Sequence, residues 1–286
     1  MKVTPARPSV ARWVMAYGLT ATWVLFTTGT IGGTIRTPWG IARLFDLSFL
    51  LTPGVWAVFS AIYFLCVFAF MRRIREALVG VLLSVSIALM ATLRISETAR
   101  LDTMPSLTTM LVGVLITTWT LALVATPGSM ARKEQVGHEM MCGVFGAIMC
   151  LTAWSKWSTS GLQWLDGNTH ALWIYERAAG PVVVFEIPML RAFRMWLSDH
   201  PTICSFGAGY TLLVESLGFL FVVPRWRKAY AIAVAGMLIG LGVGLGFAEP
   251  GWIELPLALG FSQLASAKDT THRAPTDPDH TAPSVR

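Results

Sequence analysis

Seven long apolar blocks, separated by short polar segments, limit what this chain can fold into. They cover about residues 10–31, 47–71, 77–93, 107–126, 140–157, 202–223 and 229–247. A helix rises about 1.5 Å per residue, so about 20 apolar residues cross a hydrocarbon layer about 30 Å thick. That layer holds no water to satisfy backbone amides and carbonyls, so a spanning segment must bond them internally, as a helix does. The period-2 alternation of a membrane barrel is absent. The expected fold is an all-α, multi-pass integral membrane helix bundle. An eighth block, 252–265, is short and holds Glu254 and Pro256, which sets the expectation at about seven to eight spans. Residues 1–265 read as a single transmembrane domain. Residues 266–286, rich in Pro, Thr, Asp and His, bury too little apolar surface to fold and read as a disordered polar tail.

Only 13% of the residues are charged and 54% are hydrophobic, against about a quarter charged in soluble domains. The net charge of +6 would suggest a nucleic-acid partner in a soluble protein. Here the cations sit between apolar blocks and no nucleic-acid motif accompanies them. They are topology signals, because basic residues in short loops stay on the cytoplasmic side. Lys2, Arg7 and Arg12 precede the first block; Arg72, Arg73 and Arg75 follow the second; Arg132 and Lys133 follow the fourth; Arg225, Arg227 and Lys228 follow the sixth. Alternating spans put all four groups on one side, which places the chain in the cell membrane with a cytoplasmic N-terminus. Residues 32–46, 94–106 and 158–201 then face outward. The block 10–31 lacks a small-residue cleavage site and is expected to be retained as a helix. The four cysteines form no C-x-x-C pair and read as packing residues.

The longest stretch between spans, 158–201, is not a simple loop. Segments 171–177 and 182–197 mix apolar and charged residues. Phe185, Met189, Phe193 and Trp196 recur at helical spacing, with Glu186, Arg191 and Arg194 elsewhere on the helix. One or two amphipathic helices are expected there, lying near the outer interface or forming a partly inserted lid. The block 229–247 carries Gly236, Gly240, Gly242, Gly244 and Gly246. Small residues four apart let helices approach closely; the same pattern also leaves room for a flat ligand.

Two stretches carry candidate chemistry. The first runs from Trp154 to Gly167 and holds Lys156, Trp157, Trp164 and Asp166. Lysine at the end of a span can snorkel to water. Desolvated by Trp154, Trp157 and neighbouring helices, it would instead have a lowered pKa and serve as a general base. The second runs from Leu212 to Arg225 and holds Glu215 and Gly218. An acid inside a span costs a few kcal/mol and so has a partner or a role. His170 is a weaker candidate, able to shuttle protons. His138 and Glu139 lack metal-ligand spacing, and no Ser-His-Asp order or phosphate-binding glycine loop is present.

At these two stretches the chain resembles the vitamin K-dependent γ-carboxylase-like superfamily, also called the HTTM (horizontally transferred transmembrane) domain family. The family pattern runs roughly Gly/Ala-x-x-Lys-Leu, a short spacer, then Trp-x-x-Gly. Here it reads Lys156-Trp157, then Trp164-Leu-Asp-Gly167, followed downstream by Glu215-Ser-Leu-Gly218-Phe219-Leu220. The similarity is clearest over residues 130–260. It implies a lysine base, at Lys156, that deprotonates a reduced quinone, whose oxygenation then drives carboxylation. It implies Glu215 as the second catalytic residue, and Trp154, Trp157, Trp164, His170 and Gly218 as the substrate-binding surroundings. The family's histidine after the acid is replaced by the Ala233–Leu238 stretch, Trp157 stands for the usual leucine, and the extramembrane peptide-binding domain is missing. Oxygenation or epoxidation of a quinol-like or other apolar small molecule therefore fits better than peptide carboxylation. The lipid bilayer and that small molecule are the expected partners. A non-catalytic immunity factor, partner subunit or carrier is the competing expectation. A transporter is less favoured, since no inverted repeat is visible.

Overall fold

A computed structural model describes residues 10–98, 107–179, 187–246 and 252–261. Among them there is no β-strand, and the chain forms ten α-helices joined by loops and short 3₁₀ turns. These are α1 (Val10–Thr30), α2 (Pro53–Met71), α3 (Glu76–Thr98), α4 (Leu107–Ala125) and α5 (Met130–Ser160), followed by α6 (Gly167–Ala179), α7 (Pro188–Ser198), α8 (Pro201–Ser216), α9 (Arg227–Leu245) and α10 (Glu254–Phe261). Four segments are long and apolar enough to cross a membrane: Pro53–Met71, Glu76–Glu97, Arg132–Leu165 and Arg227–Leu245. This is a helical membrane protein.

The helices sort their faces as a bundle in lipid requires. On α2, Trp56, Ser60, Tyr63, Val67 and Phe70 are buried, while Val58, Ile62, Leu65 and Phe68 are exposed. Both sets recur at helical spacing, and both are mainly apolar, Ser60 being the exception. A soluble protein rarely leaves so large an apolar patch in water. Polar side chains tie α2 to α1: the Tyr63 hydroxyl donates to the Leu19 carbonyl (2.8 Å), Trp23 Nε1 to Ser60 Oγ (2.8 Å) and Trp56 Nε1 to Thr27 Oγ1 (3.0 Å). Such interhelical bonds suit a medium that supplies no hydrophobic drive between helices.

Arg12 departs from its reading as a loop cation. It lies inside α1 and is 2% exposed. One guanidinium nitrogen donates to Glu76 Oε2 (2.9 Å) and Glu134 Oε1 (3.0 Å), and another to the Phe70 carbonyl at the end of α2 (2.8 Å). Its guanidinium also lies over the Phe70 and Trp119 rings. Arg73 reaches Glu134 from the turn after α2. One buried network thus joins α1, α2, α3 and α5. It explains why α5 begins at Met130, ten residues before the expected 140. Glu134 has its cations, and His138 bonds the Leu259 carbonyl of α10 (2.9 Å), so these polar residues need no water.

Other boundaries shift less. α2 starts at Pro53, after a 3₁₀ turn at Ser48–Leu51. The sixth block breaks into α8 and a 3₁₀ turn at Gly218–Phe221. α9 ends at Gly246, whose φ of +74° is left-handed and favours glycine. α10 has 8 residues, about 12 Å of helix, and packs on α1, α5 and α9. Residues 262–265 and the tail 266–286 lie outside the described residues, as do Phe185 and Glu186.

Removing Arg12 leaves Glu76 buried without its cation and Glu134 with Arg73 alone. Arg12→Ala is expected to destabilise the protein by about 3–5 kcal/mol, the usual cost of breaking a buried pair from one side. Thermal unfolding in detergent measures this; a midpoint equal to the native protein's would contradict the network's role.

Candidate functional site

Lys156 lies just before the last turn of α5, and Glu215 in the last turn of α8. Helix side chains lean toward the helix N-terminus, so the Lys156 stem runs back into the bundle. Its ammonium donates to both oxygens of the Glu215 carboxylate. The side chains are 16% and 5% exposed, so the pair is largely out of water. The ammonium also lies 4.8 Å from the centre of the Trp164 ring, a cation–π contact that gains strength when desolvated.

A close backbone crossing places the two helices. Gly146 of α5 and Gly218 after α8 face each other, and a Cβ on either would collide with the carbonyl of the other. The Tyr230 hydroxyl of α9 donates to the Val214 carbonyl beside Glu215 (2.9 Å), which fixes that turn from the other side.

The ion pair stands on the wall of a cavity of about 1070 Å³, at the upper end of the usual range for small-molecule sites. α5, α8 and α9 form most of its walls, and α6 and α7 cover it. Most of the lining is apolar, including Phe145, Met149, Ile174, Leu197 and Leu241. The polar groups are few: Lys156, Glu215, His170, Thr152, Thr211 and Tyr210, with Glu176 and Arg177 on the exposed part of α6. Gly236, Gly240 and Gly244 line one face of α9. Of the two readings of that glycine pattern, the structure gives the one with space beside it.

Of the surroundings expected from the sequence, Trp164 and His170 line the cavity. His170 Nε2 donates to the Trp164 carbonyl (2.6 Å), and the rings of Trp164, His170 and Trp173 pack around one another. Trp154, Trp157 and Gly218 do not line the cavity. Trp154 is 68% exposed and Trp157 is also exposed; at about 100° per residue, positions two before and one after Lys156 sit on other faces of α5. They lie on the surface, and the groups that pack against the Lys156 ammonium are Trp164 and Glu215 of α8. Gly218 acts through the backbone crossing.

The cover is fixed at two points. Asp166 caps α6, accepting from the Asn168 and Thr169 amides (3.2 and 3.1 Å) and the Thr169 hydroxyl (2.6 Å). α7 is held by Arg194, which looked like a member of its polar face. The guanidinium is buried and donates to the Val243 and Gly242 carbonyls at the end of α9 (2.8 and 3.2 Å), where a cation also offsets the helix dipole. Met189, Phe193 and Trp196 of α7 are exposed. Arg194, Tyr210 and Trp173 were absent from the sequence-based candidates. Only Trp173, three residues beyond His170 on one helix face, had a local signal.

The described residues contain no cluster of His, Cys, Asp and Glu fit to hold a metal. In comparisons with known proteins the chain matches no family model, no curated protein and no solved structure.

Breaking the ion pair from one side strands a buried charge, whereas removing both charges does not. Lys156→Met and Glu215→Leu are each expected to lower the unfolding temperature, and the double variant to recover most of the loss. A double variant as unstable as the sum of the two would contradict the pairing. For the cap, the bonds from the Thr169 hydroxyl and the Asn168 and Thr169 amides hold the Asp166 carboxyl below its ordinary value of 3.8. A depressed carboxyl stabilises the fold above its unfolded pKa and loses that contribution as pH falls through the folded value. Hydrogen-exchange protection at Asn168 and Thr169 is therefore expected to fall below pH 3.8, and Asp166→Ala to abolish that pH dependence.

Proposed function

We propose that this protein is an integral membrane enzyme that binds an apolar small molecule of quinol type and removes a proton from its polar end, with Lys156 as the base and Glu215 as its proton partner. The observation that carries the reading is the ion pair on the wall of a large, mainly apolar cavity. A cavity meant only for packing has no use for two charges, and acids and bases within a membrane mark functional sites by default. The resemblance of the Lys156 and Glu215 stretches to the γ-carboxylase-like family points the same way. Seven or eight spans, with the N-terminus in the cytoplasm and the cavity toward the outer face, complete the proposal.

The charges balance through the dyad. From the ion-paired state one proton passes from the Lys156 ammonium to the Glu215 carboxylate, which leaves both groups neutral. The amine then takes the proton of an O–H on the ligand. The dyad ends one proton and one positive charge richer, matching the negative charge left on the ligand oxygen. The restored ammonium faces that oxygen, and the apolar walls exclude water that would weaken the attraction. A reduced quinone, when bound, supplies the acidic O–H and the reducing electrons, and molecular oxygen is the co-reactant for its oxygenation. Trp164 holds the lysine in place through its ring, and the Trp164–His170–Trp173 cluster offers aromatic faces to a flat head group.

A carrier that binds the same ligand without chemistry is the second reading. It is favoured by the ion pair being satisfied by its own partner. Both readings are tested with purified protein in detergent. Oxidation of a reduced naphthoquinone is compared for the native protein, Lys156→Ala and Lys156→Arg, with binding followed by quenching of tryptophan fluorescence. Lys156→Ala is expected to lose about 10²–10⁴-fold in turnover, the usual contribution of a general base. Lys156→Arg is expected to lose as much, since a guanidinium does not give up its proton. Equal turnover in all three would sink the enzyme reading; binding without turnover in the native protein would establish the carrier.

A further inference from the structure

Around α8 the residues change character in order. Phe206 and Leu213 face outward and do not line the cavity. Next around the helix come Ile203, Gly207 and Tyr210, which are exposed and also line it; Cys204, Ala208 and Glu215 follow, buried and lining it. α9 repeats the sequence. Ile232 and Ile239 face outward, Gly236 and Gly240 are both exposed and lining, and Met237 and Leu238 are buried and lining. The outer surface of the bundle therefore continues into the cavity between α8 and α9.

That gap has ends. At one, the Tyr210 hydroxyl donates to the Ala233 carbonyl (2.9 Å) and ties the two helices together. At the other, Leu197 of α7 lies against Gly244. Between them a Cβ added at Gly207 or at Gly240 would meet nothing within 4 Å. Gly236 and Gly244 are eight residues apart, about 12 Å along the helix. α9 is one of the helices apolar and long enough to cross a membrane, and Gly236 lies near its middle, so the gap opens at hydrocarbon depth.

We propose that the slot between α8 and α9, framed by Gly207 and Gly240, is a lateral opening through which the apolar ligand enters the cavity directly from the bilayer. The inference rests on the reading of the cavity as a small-molecule site, and it adds the source of the ligand: a molecule dissolved in the membrane, whose tail remains in or near the slot while its head reaches Lys156. The outward Phe206, Leu213, Ile232 and Ile239 offer such a tail a surface like the lipid it leaves. The glycines keep the passage free, since a larger side chain at either would project into it.

The test uses full-length protein in phosphatidylcholine vesicles and two oxidised probes: a naphthoquinone with an isoprenoid tail, which partitions into the bilayer, and a tail-less, water-soluble one. Uptake is followed by quenching of tryptophan fluorescence after rapid mixing. Gly240→Leu and, from the opposite lip, Gly207→Leu are compared with native protein. Each variant is expected to slow the tailed probe severalfold more than the tail-less one. Slowing of both probes to the same extent, or of neither, overturns the lateral opening while leaving the site in place. Absence of quenching by either probe in native protein overturns the site and the opening together. If one leucine variant fails to fold, the other carries the same comparison.

Discussion

A buried carboxylate sets the terms for the cavity-bearing half of this molecule. Glu215 can exist where it does only because Lys156 reaches it, and Lys156 reaches it only because two helices come into backbone contact a few turns away. Charges in a medium of low dielectric attract strongly but are expensive to desolvate. The pair is therefore held from several sides: by the Trp164 ring, by the Gly146–Gly218 crossing and by the Tyr230 hydroxyl on the turn that carries Glu215. The same supports that make the pair tolerable also fix its position on the cavity wall.

The opposite region of the bundle solves a similar problem differently. Arg12 is surrounded by two carboxylates, a carbonyl and two aromatic rings, and is not among the residues that line the cavity. Its network binds four helices into a frame. Lys156 and Glu215 instead face a cavity. Two buried charge clusters of similar composition thus divide into a fastening and a candidate reaction centre by what lies beside them.

Much of the architecture was legible in the amino-acid order, because apolar length and helical period are local properties. The helices α1, α4 and α9 begin and end within two residues of their expected limits, and Lys156 and Glu215 were identifiable as charges out of place. What escaped was set by partners distant in the chain. Arg12 reads as a loop cation until Glu76 and Glu134 fold around it. Arg194 reads as a solvated face until the carbonyl end of α9 arrives. Trp154 and Trp157 flank Lys156 in sequence yet sit on other faces of α5, while Trp164, eight residues on, supplies the contact. The glycines of α9 allowed either a tight interface or a space, and no local signal distinguishes the two.

The length of α5 carries one more consequence. Its 31 residues make a rod about 46 Å long, against a hydrocarbon layer about 30 Å thick. The surplus must be taken up by tilt or by protrusion, and the balance shifts with the thickness of the surrounding bilayer. Arg12 and Arg73 grip Glu134 near one end of that rod, and Lys156 rides on the other. The depth of the ion pair below the headgroups is thereby tied to the acyl-chain length of the host membrane, which makes lipid thickness a mechanical input to the electrostatics of the site.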